Sequence, residues 1–312
     1  MKEPLSRREL LRTAAATAAL ALSGPLSACS RIARVGASED PHAEDRQRLT
    51  SWAGVLRAER LAKPEVSVGR AASRVGELAV GTPYVAFTLE EYLKAGGSST
   101  QTEPLYLSLT SFDCVSLVES CLAIARVADD GGMPTWQSFG GEIERMRYRD
   151  GVRRNYTSRL HYFSEWISDG ARRGLLRDLG PELGGVPDTR PLRFMTEHRA
   201  SYPGLADDES FRAIAEMERS LDSNSRLVVA TNRIPEVSDR IQTGDVLAFA
   251  TSIPGLDVSH AAFAFRDAAG VLRVLHAPLS GGVVEVTRAT LQEYVAAIRR
   301  ATGILVARPL WA

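Results

Sequence analysis

The hydrophobic period of the chain changes near Arg226, and that change limits the folds open to it. Before this point apolar residues recur every three or four positions, predicting helices over about 45–60, 66–80, 114–127, 136–148, 158–173 and 206–222. In the last of these, Phe211, Ile214, Met217 and Leu221 share one face. Beyond it come VLAFAT (246–251), HAAFAFRD (260–267), VLRVLHA (271–277) and VVEVT (283–287), which are β-branched or alternating runs. Ala268-Ala269-Gly270 and Ser280-Gly281-Gly282 supply turns between them, so antiparallel hairpins are expected. A helix at about 288–300 and a strand over GILVAR (303–308) follow. Helices first and a strand meander afterwards predict an α+β fold. Between Asp169 and Gly204 the density of Gly, Pro and Arg predicts an irregular excursion.

The first segment reads as an address, not as part of that fold. Residues 6–29, SRRELLRTAAATAALALSGPLSAC, place Arg7-Arg8 ahead of an uncharged, Ala-rich stretch. That stretch is shorter than the roughly 20 apolar residues a spanning helix needs, so a cleaved export signal is favoured over an anchor helix. It resembles a twin-arginine signal, and Leu26 to Cys29 resembles a lipoprotein box, which implies lipidation at Cys29. A generic basic leader and an ordinary small residue near a cleavage site are the plainer readings. The expected organisation is a signal peptide at 1–28, a polar tether at 29–44 and a single domain at 45–312. The mature protein is then expected outside the cytoplasmic membrane, on its outer side, partnered with the membrane through a lipid anchor.

Charge and cysteine content narrow the chemistry. With 38 basic and 38 acidic residues the formal net charge is zero, which argues against a nucleic-acid partner. Three cysteines, Cys29, Cys114 and Cys121, exclude a disulfide framework. In TSFDCVSLVESCLAIAR (110–126) apolar or thiol positions at 114, 117, 118, 121, 122 and 125 specify a buried helix, with Ser111 or Asp113 available to cap it. Cys114 then sits in the first turn, where unpaired N–H groups and the helix dipole favour a thiolate. Cys121, two turns along, is too distant for a disulfide to Cys114 and reads as a core residue.

A nucleophilic thiol needs a base, and five histidines are present. His42 falls in the tether and His198 in the irregular excursion. His260 opens a predicted strand and His276 ends the next one, so hairpin pairing can set both imidazoles on one face. A helix-start thiol, a strand His as proton acceptor and a second polar group to orient it form a workable nucleophilic constellation. Cys before His is also the order of papain-like enzymes. The plainer alternatives are a small core thiol and packed core imidazoles.

Several motifs in order carry a resemblance: GTPY (81–84), FDCVSLVE (112–119), RYRDG (147–151), YTSRLHY (156–162), GDVLAF (244–249), GLDVSHAAFAF (255–265) and LHAP (275–278). From about Val66 to Arg308 the chain resembles NlpC-type cell-wall cysteine peptidases of the papain-like clan, and among them the N-acetylmuramoyl-L-alanine amidase-like family. The resemblance implies a papain-like fold, with the nucleophile's helix packed on an antiparallel sheet or half-barrel. It also implies Cys114 as nucleophile, His260 as base and His276 as orienting residue, with Tyr84 facing the forming oxyanion. Arg159 and His161, beside Tyr156 and Tyr162, become candidates for holding a muropeptide. A structural salt bridge is the competing account of them. Asp113 serves the site or only caps the helix; Asp257 serves it or only shapes the turn before His260. Departures from the usual pattern are Ser116 for Thr, Ser108 for Asn, and Ala86-Phe87 for small residues.

The implied reaction is hydrolysis of the amide between N-acetylmuramic acid and L-alanine in peptidoglycan fragments, 1,6-anhydro forms included, with no metal or other cofactor. Three alternatives stand beside it. One is an endopeptidase of the same clan, cutting between D-Glu and the diamino acid. Another is a zinc amidase using His161, His260, His276 and Asp257, which lacks a recognisable ligand spacing. The last is a non-catalytic lipoprotein that binds wall fragments.

Overall fold

In the computed structural model, which describes residues 40–128, 132–224, 226–278 and 282–311, most helices precede most strands. The segment expected to be a signal peptide, and Cys29, lie outside the described residues. Helix α1 (Ala43–Ala58) starts two residues before the boundary expected for the domain. His42, expected in the tether, instead bonds Asp45 and rests against Trp136, with ring centroids 5.3 Å apart. Helices α2 (Val68–Leu78), α3 (Cys114–Val127) and α4 (Trp136–Arg147) follow. Then come α5 (Phe163–Arg172), α6 (Asp208–Ser220) and α7 (Leu291–Ala297).

The helix expected over 158–173 begins only at Phe163. Residues before it form one 3-10 turn and an extended arm, because Arg159 and Tyr156 are drawn into buried side-chain contacts described below. The irregular excursion also holds more order than expected: strands β1 (Leu176–Asp178) and β2 (Val186–Asp188). After them come β3 (Arg226–Ala230), β4 (Val246–Thr251), β5 (Val258–Arg266), β6 (Leu272–His276), β7 (Glu285–Val286) and β8 (Ala301–Pro309). The sheet order is β2-β3-β8-β4-β5-β6-β7, with β1 also on β8, and every pairing is antiparallel. The fold is therefore α+β, helices on an antiparallel sheet.

Two cores line the sheet. On one face Val246, Ala248, Ala261, Phe263 and Leu275 pack with the apolar sides of α1, α2 and α3. On the other, Leu247, Phe249, Ala262, Ala264 and Val274 pack with Leu291 and Val295 of α7. Small residues bring α2 very close to the sheet. Gly244 has φ +88°, and a Cβ there would meet the Gly69 carbonyl oxygen at 1.9 Å, so GDVLAF requires its glycine. Among the described residues no helix is long and apolar enough to cross a membrane.

Candidate active site

The start of α3 is held by a reciprocal cap. The Asp113 carboxylate accepts from Ser116 N–H at 2.7 Å, and Asp113 N–H donates to Ser116 Oγ at 2.8 Å. Such a cap stabilises a helix by about 1 kcal/mol. It also makes Ser116, a departure from the usual threonine, an adequate partner. Cys114 is the first helical residue and is half-buried. Cys121 is wholly buried, and burial pushes its thiol far above its ordinary pKa, as a core residue requires.

Tyr84 is tied to this helix start through the backbone. Phe112 N–H donates to the Pro83 carbonyl at 3.0 Å, Val85 N–H to the Phe112 carbonyl at 2.9 Å, and Tyr84 N–H to the Gly282 carbonyl at 2.8 Å. GTPY and FDC, thirty residues apart, therefore form one unit.

The imidazoles come from the sheet. A bulge between β4 and β5 pairs Phe249 with His260 and Ala250 with Val258. It turns Val258 toward the helices, while His260 keeps the face of Ala262 and Ala264 and stacks on Phe249, centroids 5.5 Å apart. In the next pairing Phe263 opposes Leu275, so His276 lies diagonally across from His260 on the same face. His260 Nε2 and His276 Nδ1 are 2.8 Å apart. His260 Nδ1 is buried and makes no hydrogen bond. Burial, with His276 adding to it, holds the His260 pKa down at about 3, and burial holds His276 at about 4. Both are then neutral at pH 7, so His260 has a lone pair free to accept a proton.

Two further residues complete the cluster, and the sequence reading missed them. Tyr294 Oη lies 3.2 Å from His276 Nδ1, and the Glu285 carboxylate lies 3.6 Å from His276 Nε2. Burial, then Glu285, then Cys114 raise the Tyr294 pKa, so Cys114 lies near enough to act on the phenol. The site thus sits where the two cores meet, with the thiol from α3 and the imidazoles and phenol from the opposite core. The pairing of His276 with Glu285 on β7 could have been sought from the hairpin register. Tyr294 had no comparable signal, since α7 reads as an ordinary amphipathic helix.

The other candidate residues occupy a separate network. Arg159 is only 5% exposed and pairs with Glu103 at 2.9 Å and Glu90 at 3.3 Å. Its guanidinium also lies over the Tyr156 ring, whose hydroxyl donates to Glu90. His161 Nε2 meets the Tyr156 carbonyl at 2.8 Å, and the two rings pack together. Asp257 accepts from the backbone N–H of Ser164 at 2.8 Å and of Val258 at 2.7 Å, anchoring the start of α5 to the start of β5. These contacts give Tyr156, Arg159 and Asp257 structural work. Among the described residues no group of three or more His, Cys, Asp or Glu side chains is placed to hold a metal ion.

A family model described as AmiA-like, N-acetylmuramoyl-L-alanine amidase-like, matches residues 74–304. The crystal structure of an N-acetylmuramoyl-L-alanine amidase from Bacteroides uniformis is 30% identical, with a TM-score of 0.69, and the match covers 78% of this chain and 98% of that one. A candidate xylanase from Bacteroides fragilis is 34% identical, with a TM-score of 0.67 and coverage of 75% and 98%. A Legionella pneumophila protein at 18% identity, with a TM-score of 0.61 and coverage of 86% and 95%, shares the fold. No curated protein sequence matches.

Proposed function

This chain belongs to the N-acetylmuramoyl-L-alanine amidase-like family, and from that premise we propose that it is a cysteine-dependent amidase of peptidoglycan fragments with an NlpC-type, papain-like active site. The observation that carries the reading is the 2.8 Å contact between His260 Nε2 and His276 Nδ1, which leaves His260 Nδ1 buried and unbonded, on a strand that packs against the helix beginning at Cys114. Neutral His260 takes the thiol proton through Nδ1 as the Cys114 sulfur attacks the lactyl carbonyl of an N-acetylmuramyl peptide. The carbonyl oxygen gains the negative charge, which the first-turn N–H groups of α3 and the Tyr84 hydroxyl stabilise. His260 then gives its proton to the departing L-alanine nitrogen as the C–N bond breaks. Water, deprotonated by the same imidazole, hydrolyses the thioester and restores the thiol. His161, half-buried at the edge of YTSRLHY, remains the candidate contact to the muropeptide.

The substrate class follows from the family, with 1,6-anhydro-muropeptides as the preferred form. Glycoside chemistry of the kind named for the Bacteroides fragilis relative needs two carboxylates across the scissile bond, a different pattern from an imidazole pair. We further propose export and a lipid anchor at Cys29, which would hold the enzyme where wall fragments are released. Defined anhydro-muropeptides incubated with wild type and Cys114→Ala, and read by mass spectrometry, test the reading. Release of peptides starting at L-alanine by wild type alone is expected. Products cut after D-Glu would assign endopeptidase activity, and a folded wild type without turnover would leave a binding lipoprotein.

A further inference from the structure

The reading above uses His276 only as an orienting side chain, but three groups surround that imidazole and bear on where its proton sits. His276 Nδ1 faces His260 Nε2 at 2.8 Å and Tyr294 Oη at 3.2 Å. On its other side Nε2 faces the Glu285 carboxylate at 3.6 Å, an electrostatic contact longer than a hydrogen bond. The Tyr294 ring meets the imidazole edge-on, centroids 4.9 Å apart, and Phe249 packs on both the Tyr294 and His260 rings. The imidazole is therefore enclosed by β4, β5, β7 and α7.

A neutral imidazole carries one N–H, so two arrangements are possible. With the proton on Nδ1, it could reach only one of its two neighbours there, and bare Nε2 would direct a lone pair at the carboxylate. With the proton on Nε2, the N–H points toward Glu285 and the single Nδ1 lone pair accepts from His260 Nε2–H at 2.8 Å, with Tyr294 Oη–H sharing it as the longer, weaker contact at 3.2 Å. Only the second arrangement places His260's own proton on Nε2, leaving Nδ1 bare.

We propose that Tyr294 and Glu285 are positioning residues that hold the proton of His276 on Nε2 and so keep His260 in the tautomer that can accept the Cys114 proton. The inference rests on the amidase reading for its consequence in catalysis, but the tautomer is a property of the folded protein alone. A wrong tautomer at an otherwise intact catalytic dyad costs activity without disturbing the fold.

The test uses full-length folded protein labelled with 15N-histidine, as wild type, Tyr294→Phe, Glu285→Gln and the double variant. Imidazole 15N shifts report which nitrogen of His260 and His276 carries the proton. Wild type is expected to show bare Nδ1 and protonated Nε2 on both rings. The double variant is expected to show a share of Nδ1–H on His260 and a roughly 10- to 100-fold lower kcat at near-constant KM. Wild-type His276 protonated on Nδ1, or a double variant with wild-type shifts and kcat, would overturn the proposal. Glu285 is exposed, so Glu285→Gln keeps the test open if Tyr294→Phe does not fold. Absent turnover in wild type would sink the amidase reading while leaving the shifts to decide the tautomer.

Discussion

His260 and His276 touch through Nε2 and Nδ1 at 2.8 Å although sixteen positions separate them in the chain. The β5–β6 register makes them diagonal neighbours, and the regular β4–β5 pairing as far as Phe249 keeps His260 on the face of Ala262 and Ala264, the bulge lying just before it in β5. Burial, with the proximity of His276 adding to it at His260, favours neutral rings, so His260 rests unprotonated and able to accept a proton.

His260→Ala is expected to abolish turnover and to slow alkylation of Cys114 near neutral pH, since the proton acceptor is gone. His276→Ala removes only orientation and should retain more activity. Steady-state kinetics with iodoacetamide labelling checks both; full activity without His260 would exclude the proposed triad.

The acid limb of activity should lie well below the ordinary histidine value. His260 pKa is lowered to about 3, so the base stays neutral as pH falls through 6.5, and kcat/KM should fall only toward pH 4 and below. Stability runs differently. An unfolded histidine takes up a proton near pH 6.5, so the stabilisation from keeping both rings neutral is complete above that pH and is lost progressively toward pH 3–4. Burial raises the carboxyl pKa values of Glu103, Glu119 and Glu165, which acts in the opposite direction. Circular dichroism at each pH should accompany the rates. An acid limb at pH 6–7 in folded protein would contradict the neutral-base account.

Arg159→Ala leaves buried Glu103 and half-buried Glu90 without the cation they share, and breaking a buried pair typically costs about 3–5 kcal/mol. Melting temperature, thiol alkylation and turnover should therefore fall together. His161→Ala removes a half-buried ring, and a substrate contact there predicts roughly 10- to 150-fold lower kcat/KM with Cys114 alkylation unchanged. Thermal melts paired with both assays separate the two roles.

Asp113→Ala should lower stability by about 0.5–2 kcal/mol through loss of the cap, with some loss of turnover as the first turn of α3 loosens. Asp113→Asn, which can still cap, should recover most of it. Denaturant titration of the three proteins checks this; equal stability of all three would remove the capping role.

Export can be followed in cells. Replacing Arg7-Arg8 by Lys-Lys should leave precursor in the cytoplasm, and Cys29→Ala should give a soluble or unprocessed form. Mature protein that still carries residues before Cys29 would contradict lipidation there.

What the chain determines locally can be read without a structure. The stripe from Cys114 to Ala125 and its Asp113 cap require a buried helix with the thiol at its start. The alternation in VLAFAT, HAAFAFRD and VLRVLHA requires strands whose hairpin brings the two histidines together. These depend on near-neighbour spacing, so the α+β class and the meeting of His260 with His276 were legible, while Cys114 as their partner stays a proposal. Tertiary structure decided the rest. Strands β1 and β2 are three residues each and exist because β8 and β3 supply their partners. YTSRLHY reads equally as a ligand motif or an ion pair until Glu90 and Glu103, distant in sequence, close on Arg159. Tyr294 and Glu285 show no pattern of their own, because their bearing on His276 comes from α7 and β7 meeting the end of β6. Periodicity specifies which face of an element is buried; which side chain of another element then meets it is set by the packing of the whole sheet.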